Sequence, residues 1–149
     1  MSVTTVLAQL ALLQAQITGV KVAYAEAPNS VVAANMPLFI TIPGEAEDDW
    51  VSAGSDSDLE TRTYRMLLIV APRGAGIPGE ALALCNPFFD RVRDFFAARP
   101  ALGLDSVHSA TYLGDSGTTN IVYQDVPQVG IEFRLRIVEY LQRTYAVGE

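Results

Sequence analysis

"VGIEFRLRIVEYLQRTY", residues 129–145, alternates apolar and polar side chains. Val129, Ile131, Phe133, Leu135 and Ile137 fall on one side, and Gly130, Glu132, Arg134 and Arg136 on the other. A strand has a side-chain period of two, so this pattern predicts a long strand with one buried and one wet face. The alternation slips at Val138, which predicts a bulge or bend there.

Working backward, Pro127 breaks the run, and "SVHSATYLG" and "TNIVYQDV" read as two further strands around "DSGT", a hairpin signal. "TRTYRMLLIVAP", residues 61–72, is rich in branched and aromatic residues and predicts a central strand. "LFITIPG", residues 38–44, is a short apolar strand stopped by Pro43-Gly44. "VKVAYAEAP" is extended and "NSVVAANMP" irregular.

Two helices complete the pattern. Val3, Val6, Leu7, Leu10, Leu13 and Ile17 recur at helical spacing over residues 3–18, with Thr4 or Thr5 as cap and Gly19 at the end. Residues 80–100 form the second helix, with Leu82, Cys85, Phe89, Val92 and Phe96 on one stripe. Pro87 either kinks it or opens a second helix capped by Asn86. The expected fold is a single α+β domain over residues 1–149. It has a mainly antiparallel sheet of about four to five strands, the last three as a meander, and two main helices packed on one face.

Charge is distributed unevenly. The net charge is −7, with 17 acids and 10 bases. Seven of the acids lie in "EAEDDWVSAGSDSDLE", residues 45–60: Glu45, Glu47, Asp48, Asp49, Asp56, Asp58 and Glu60. The remaining ten balance the ten bases, so this segment carries the whole bias and also holds the only tryptophan, Trp50. It is expected to be an acidic, flexible loop. Without clustered Lys and Arg in the sequence, nucleic-acid binding by phosphate neutralisation is not expected.

Catalytic and metal chemistry find little support. Cys85 is the only cysteine, so no intrachain disulfide forms, and one His with one Cys makes no zinc cluster. "DSDLE" lacks the glycine and downstream Glu of a calcium loop. "GAGIPG", residues 74–79, matches a dinucleotide fingerprint, but Pro72 and Arg73 separate it from the strand, Pro78 stiffens it, and no ribose-binding acid follows. "GDSG", residues 114–117, has the look of a serine nucleophile loop, yet His108 has no third group to orient it. The start of the chain has no basic n-region and is too short and Gln-interrupted to span a bilayer, so neither a signal peptide nor a membrane anchor is expected. No cofactor or metal is expected, and a binding or structural role is favoured over an enzyme.

The helix "VLAQLALLQAQITGVK", then "YAEAPNSVVAANMPLFITIPG", the acidic segment, "TRTYRMLLIVAP", "GEALALCNPFFDRVRDFFAARPAL" and the closing strand together resemble the tail terminator (tail completion) proteins of long-tailed bacteriophages. The resemblance spans nearly the whole chain and rests on element order, length and these phrases. It implies a non-enzymatic structural protein of the virion neck, assembled in the host cytoplasm as a hexameric ring. Such a ring sits on the major tail-tube protein, stops its polymerisation and offers a surface to the head connector or stopper, with DNA passing through as cargo. A head–tail joining protein (stopper or adaptor) is the alternative, and a small nucleotide-binding enzyme using residues 74–79 a distant one. In such a ring Glu45, Glu47, Asp48, Asp49, Asp56, Asp58 and Glu60 are candidates for a DNA-repelling or assembly-ordered arm with Trp50 as its anchor. The competing reading is a solvated surface loop.

Overall fold

A computed structural model describes residues 3–49, 57–72 and 79–142. The elements run α1 (Val3–Gln14), β1 (Val22–Tyr24), a 3-10 turn (Ala33–Asn35), β2 (Leu38–Asp49), β3 (Ser57–Pro72), α2 (Gly79–Ala97), β4 (Val107–Tyr123) and β5 (Val126–Gln142). One five-stranded sheet has the order β1-β2-β3-β5-β4. The β1–β2 pair is parallel and the others antiparallel, so the sheet of this α+β fold is mixed.

"TRTYRMLLIVAP" lies in β3, the middle strand of the five. Alternate residues of the central strands feed two buried clusters. Tyr64, Met66, Leu68 and Val70 of β3 join Val129, Ile131, Phe133, Leu135 and Ile137 of β5 in the larger one. That cluster also holds Val6, Leu10, Leu13 and Ile17 from α1 and its following turn, and Ala81, Cys85, Phe88, Val92 and Phe96 from α2. Leu67 and Ile69 belong to the second cluster with Met36, Leu38, Ile40, Ile121 and Tyr123. At Gly130 the strands approach so closely that a Cβ would lie 2.0 Å from the Leu68 carbonyl oxygen.

The stripe on α2 is set differently from its sequence reading. Ala81 and Phe88 are buried, whereas Leu82 is 42% exposed and Phe89 only partly buried. Helical spacing alone admits both stripes because apolar residues crowd residues 81–89. Pro87 sits exposed within one unbroken helix, so a second capped helix does not form.

β2 does not stop at Pro43-Gly44. It continues to Asp49 through a bulge between Pro43 and Ala46. β1 covers β2 only from Leu38 to Ile40, so among the described residues Pro43 lies on an edge without a strand partner, where a missing N–H is tolerated. Gly44 is needed there, since a Cβ would lie 2.7 Å from the Thr63 carbonyl oxygen. Of the segment expected to be a loop over 45–60, Glu45 to Asp49 are in β2 and Ser57 to Glu60 in β3, while residues 50–56 lie outside the described residues.

Residues 107–123 form one strand rather than two around a turn. "DSGT" is a bulge in β4, with register shifts after Tyr112 and Asp115 and positive φ at Gly114 and Gly117. Asp115 Oδ1 accepts from the Gly117 N–H at 2.8 Å, and Ser116 Oγ accepts from the Glu132 N–H at 3.0 Å, so side chains satisfy donors at the interruption. The hairpin turn is Gln124-Asp125, whose φ values of 52° and 65° fit a two-residue turn matched to strand twist. Pro127 is accommodated next to it, opposite Val122 and before β3 pairing begins at Gln128. The last strands are thus not a meander. β4 and β5 form a hairpin, and β5 inserts between β3 and β4.

The slip at Val138 is not a bulge in β5 either. Pairing with β3 is regular from Ser57↔Gln142 to Ile69↔Gly130, and the shift lies in β4 at His108. The pattern slips because an inward position is occupied by a carboxylic acid, Glu139.

Candidate assembly site

The end of the sheet formed by late β2, early β3 and late β5 gathers charge on both faces. Residues directly opposite in an antiparallel pair share a face. Glu60 of β3 and Glu139 of β5 are register partners on the face of the larger core, Asp48 of β2 is paired in register with Glu60, and Ala46, Arg62 and Ile137 share the next position.

Glu60, Arg62 and Glu139 form a partly buried polar knot. Arg62 Nη2 lies 3.3 Å from Glu60 Oε1, and Arg62 Nη1 donates to the Gly44 carbonyl at 2.7 Å. That guanidinium ties the β2 bulge to β3. Glu139 is 2% exposed, and its Oε2 has no hydrogen-bond partner among the described residues. Burial, then the neighbouring Glu60 carboxylate, raise its pKa, against the pull of Arg62. Tyr64 is fully buried with an unpartnered hydroxyl, and desolvation followed by Glu139 pushes its pKa up to about 12. Ser106 Oγ is likewise buried and unpartnered.

The opposite face carries the other sign. Arg65 and Arg134 are direct register partners on β3 and β5, and Arg136 stands two residues along β5, opposite Thr63. All three are exposed. Glu132 Oε1 accepts from Arg65 Nη2 at 2.6 Å and from Nε at 2.9 Å. Arg134 and Arg136 form no ion pair with the described residues. Beside them Tyr140 is 44% exposed and meets His108 edge to face at 5.3 Å. A groove of about 320 Å³ opens next to Arg65 and Glu132, walled by Ile42, Leu67, Ser116 and Ile121.

The residues singled out in the sequence separate into groups. Glu45 and Glu47 are exposed on the edge of β2 that no strand covers among the described residues. Asp48 and Asp49 are in β2 and Asp58 in β3. Glu60 is partly buried in the knot rather than on a loop. Trp50 and Asp56 lie outside the described residues, as does "GAGIP" of the Gly-rich motif. Ser116 of "GDSG" donates to the Gly117 carbonyl within the bulge and accepts from the Glu132 N–H of β5, and His108 meets Tyr140 edge to face. Among the described residues no group of three or more His, Cys, Asp and Glu is placed to hold a metal. No described helix is long and apolar enough to cross a membrane.

Sequence reasoning missed Glu139, Tyr64 and the arginine face. The signal for Glu139 was present as the slip at Val138. The arginine face needed strand pairing, because Arg65 and Arg134 are remote in sequence. No protein-family model matches this chain, and no curated protein matches it.

Proposed function

We propose that the chain is a structural protein of a bacteriophage virion, a tail terminator that assembles as a ring. It caps the tail tube, stops its polymerisation and joins the tail to the head connector. The reading rests on the sequence resemblance. The supporting observation is the pairing of an exposed acidic edge, Glu45 and Glu47, with a buried knot at its root. Such an edge is held in place and available for contact with neighbours. In this reading both helices cover one sheet face, as their shared core cluster supports, and the arginine-bearing face is left for assembly. The ring's work is mechanical and needs neither cofactor nor metal. DNA passes through without specific binding.

The test is assembly. Light scattering should give a mass near six subunits, and negative-stain images should show rings. Added to polymerising tail-tube protein, the chain should shorten the tubes and appear at their ends. A strictly monomeric protein that leaves tube length unchanged overturns the reading.

A further inference from the structure

We infer that the arginine face binds the acidic β2 edge of a second copy, in a head-to-tail contact between Arg65, Arg134 and Arg136 of one chain and Glu45 and Glu47 of the next. The inference deepens the ring reading and rests on it, by naming the surfaces that meet.

The arginines are placed against their own electrostatic interest. Arg65 and Arg134 are directly opposed across β3 and β5, a like-charge pairing that destabilises a sheet. Glu132 compensates Arg65, while Arg134 and Arg136 lack a carboxylate among the described residues. The face therefore has a surplus of guanidinium groups, which suit bidentate carboxylate contacts.

The chain's own acidic edge does not supply them. Glu47 stands opposite Thr61, one register step from the Thr63–Arg136 pair and two strands across. Two strand spacings, roughly 10 Å, separate them, and no ion pair joins Glu45 or Glu47 to these arginines among the described residues. A second copy brings the same carboxylates to them directly.

The edge is suited to the other half of the contact. Beyond Ile40, β2 has no strand on its outer side among the described residues, and Glu45, Ala46 and Glu47 are all exposed there. The two surfaces are different patches of one chain. Their union is heterologous, the kind of contact that closes into a ring when the rotation permits. Exposed Tyr140 supplies an aromatic anchor at the margin. Nucleic acid fits less well: the face has three arginines with Glu132 among them, and the neighbouring acidic edge repels phosphate.

The test is a charge swap in the full chain. Arg134→Glu/Arg136→Glu alone and Glu45→Arg/Glu47→Arg alone should each weaken self-association at least tenfold in sedimentation, with unchanged circular dichroism. Mixed in equal amounts, the two variants should reassociate, because each arm then meets an opposite patch. Arg134→Gln/Arg136→Gln serves as a milder variant if the reversal unfolds. Wild-type association should weaken with added salt. Rings that persist unchanged in every variant, or a mixture that fails to reassociate, overturn the contact while leaving ring assembly and tube capping intact. Loss of duplex-DNA binding in the arginine variant with unchanged self-association overturns it in favour of a phosphate surface. A wild-type chain that is monomeric yet caps tubes overturns the contact, and one that neither associates nor caps overturns the ring reading as well.

Discussion

Glu60 and Glu139 are register partners on β3 and β5, and the fold provides for them unequally. Glu60 has Arg62 at 3.3 Å, whereas Glu139 is 2% exposed with one oxygen unpartnered. The uncompensated acid is the one buried more deeply. Ionising it places a second negative charge beside Glu60, away from water.

Stability should therefore fall as pH rises. Burial and Glu60 raise the Glu139 pKa in the folded chain. Between the ordinary glutamate value of about 4.3 and that raised value, the folded state holds more protons than the unfolded one. The stabilisation is complete below the ordinary value and is lost as pH rises through the folded value. Glu139→Gln removes this dependence. It should be more stable than wild type near neutrality by on the order of 1 kcal/mol, and the gap should close toward about pH 4. Urea unfolding across that range reads the difference, and a pH-independent gap contradicts the assignment.

Tyr64→Phe should also stabilise. The ring is fully buried and its hydroxyl has no partner, so the substitution removes a desolvated polar group and keeps the packing. The expected gain is about 1 kcal/mol, or roughly 2–4 °C in melting temperature for a chain of this size. Destabilisation by a similar amount indicates that the hydroxyl has a partner that holds it.

Gly130→Ala should be among the most damaging small substitutions. The added Cβ meets the Leu68 carbonyl at 2.0 Å and Ile121 Cδ1 at 3.0 Å, and the carbonyl belongs to the backbone of the central strand. Strand separation must change, at a cost of about 3 kcal/mol or more. Thermal melts of Gly130→Ala beside Gly79→Ala, where a Cβ meets nothing within 4 Å, test the claim.

What was legible in the sequence follows from how each feature is encoded. Strong periodicity identified α1, β3 and the inward face of β5, because burial of alternate or helically spaced side chains is a local pattern. The Gln124-Asp125 turn was not legible, because neither residue demands the positive φ it adopts, whereas "DSGT" carried a stronger turn signal and proved to be a bulge. Pro43-Gly44 and Pro127 read as stops, yet each is tolerated where one side of the strand lacks a partner. Of the candidate site, the acidic content was plain. Its division into an exposed edge and a buried knot depended on the β2–β3 register, which local sequence does not specify.

That turn offers a direct check on the topology. Replacing Gln124-Asp125 by Asn-Gly should stabilise the β4–β5 hairpin by about 0.5–1 kcal/mol, since both positions then accept positive φ at lower cost. The same Asn-Gly pair placed at Asp115-Ser116 should destabilise. An Asn at 115 still accepts from the Gly117 N–H, but a Gly at 116 removes the Ser116 hydroxyl that accepts from the Glu132 N–H and holds the bulge to β5. Opposite signs at the two places in melting curves support one long β4, and a gain at Asp115-Ser116 supports a hairpin there instead.

Asp48 is the register partner of Glu60, which in turn pairs with Glu139, so three acids share one register position across three strands. Opposed like charges cost roughly 0.2–1 kcal/mol per pair. Asp48→Asn should therefore raise stability by a few tenths of a kcal/mol, and the gain should shrink with added salt, which already screens the repulsion in wild type. Neutralising Asp48, Asp49, Asp56 and Asp58 together should likewise leave the fold intact. Denaturant melts at low and high salt measure both effects. A marked loss of stability in the isolated chain instead assigns these carboxylates a structural role, and the row would then owe its charge to folding rather than to assembly.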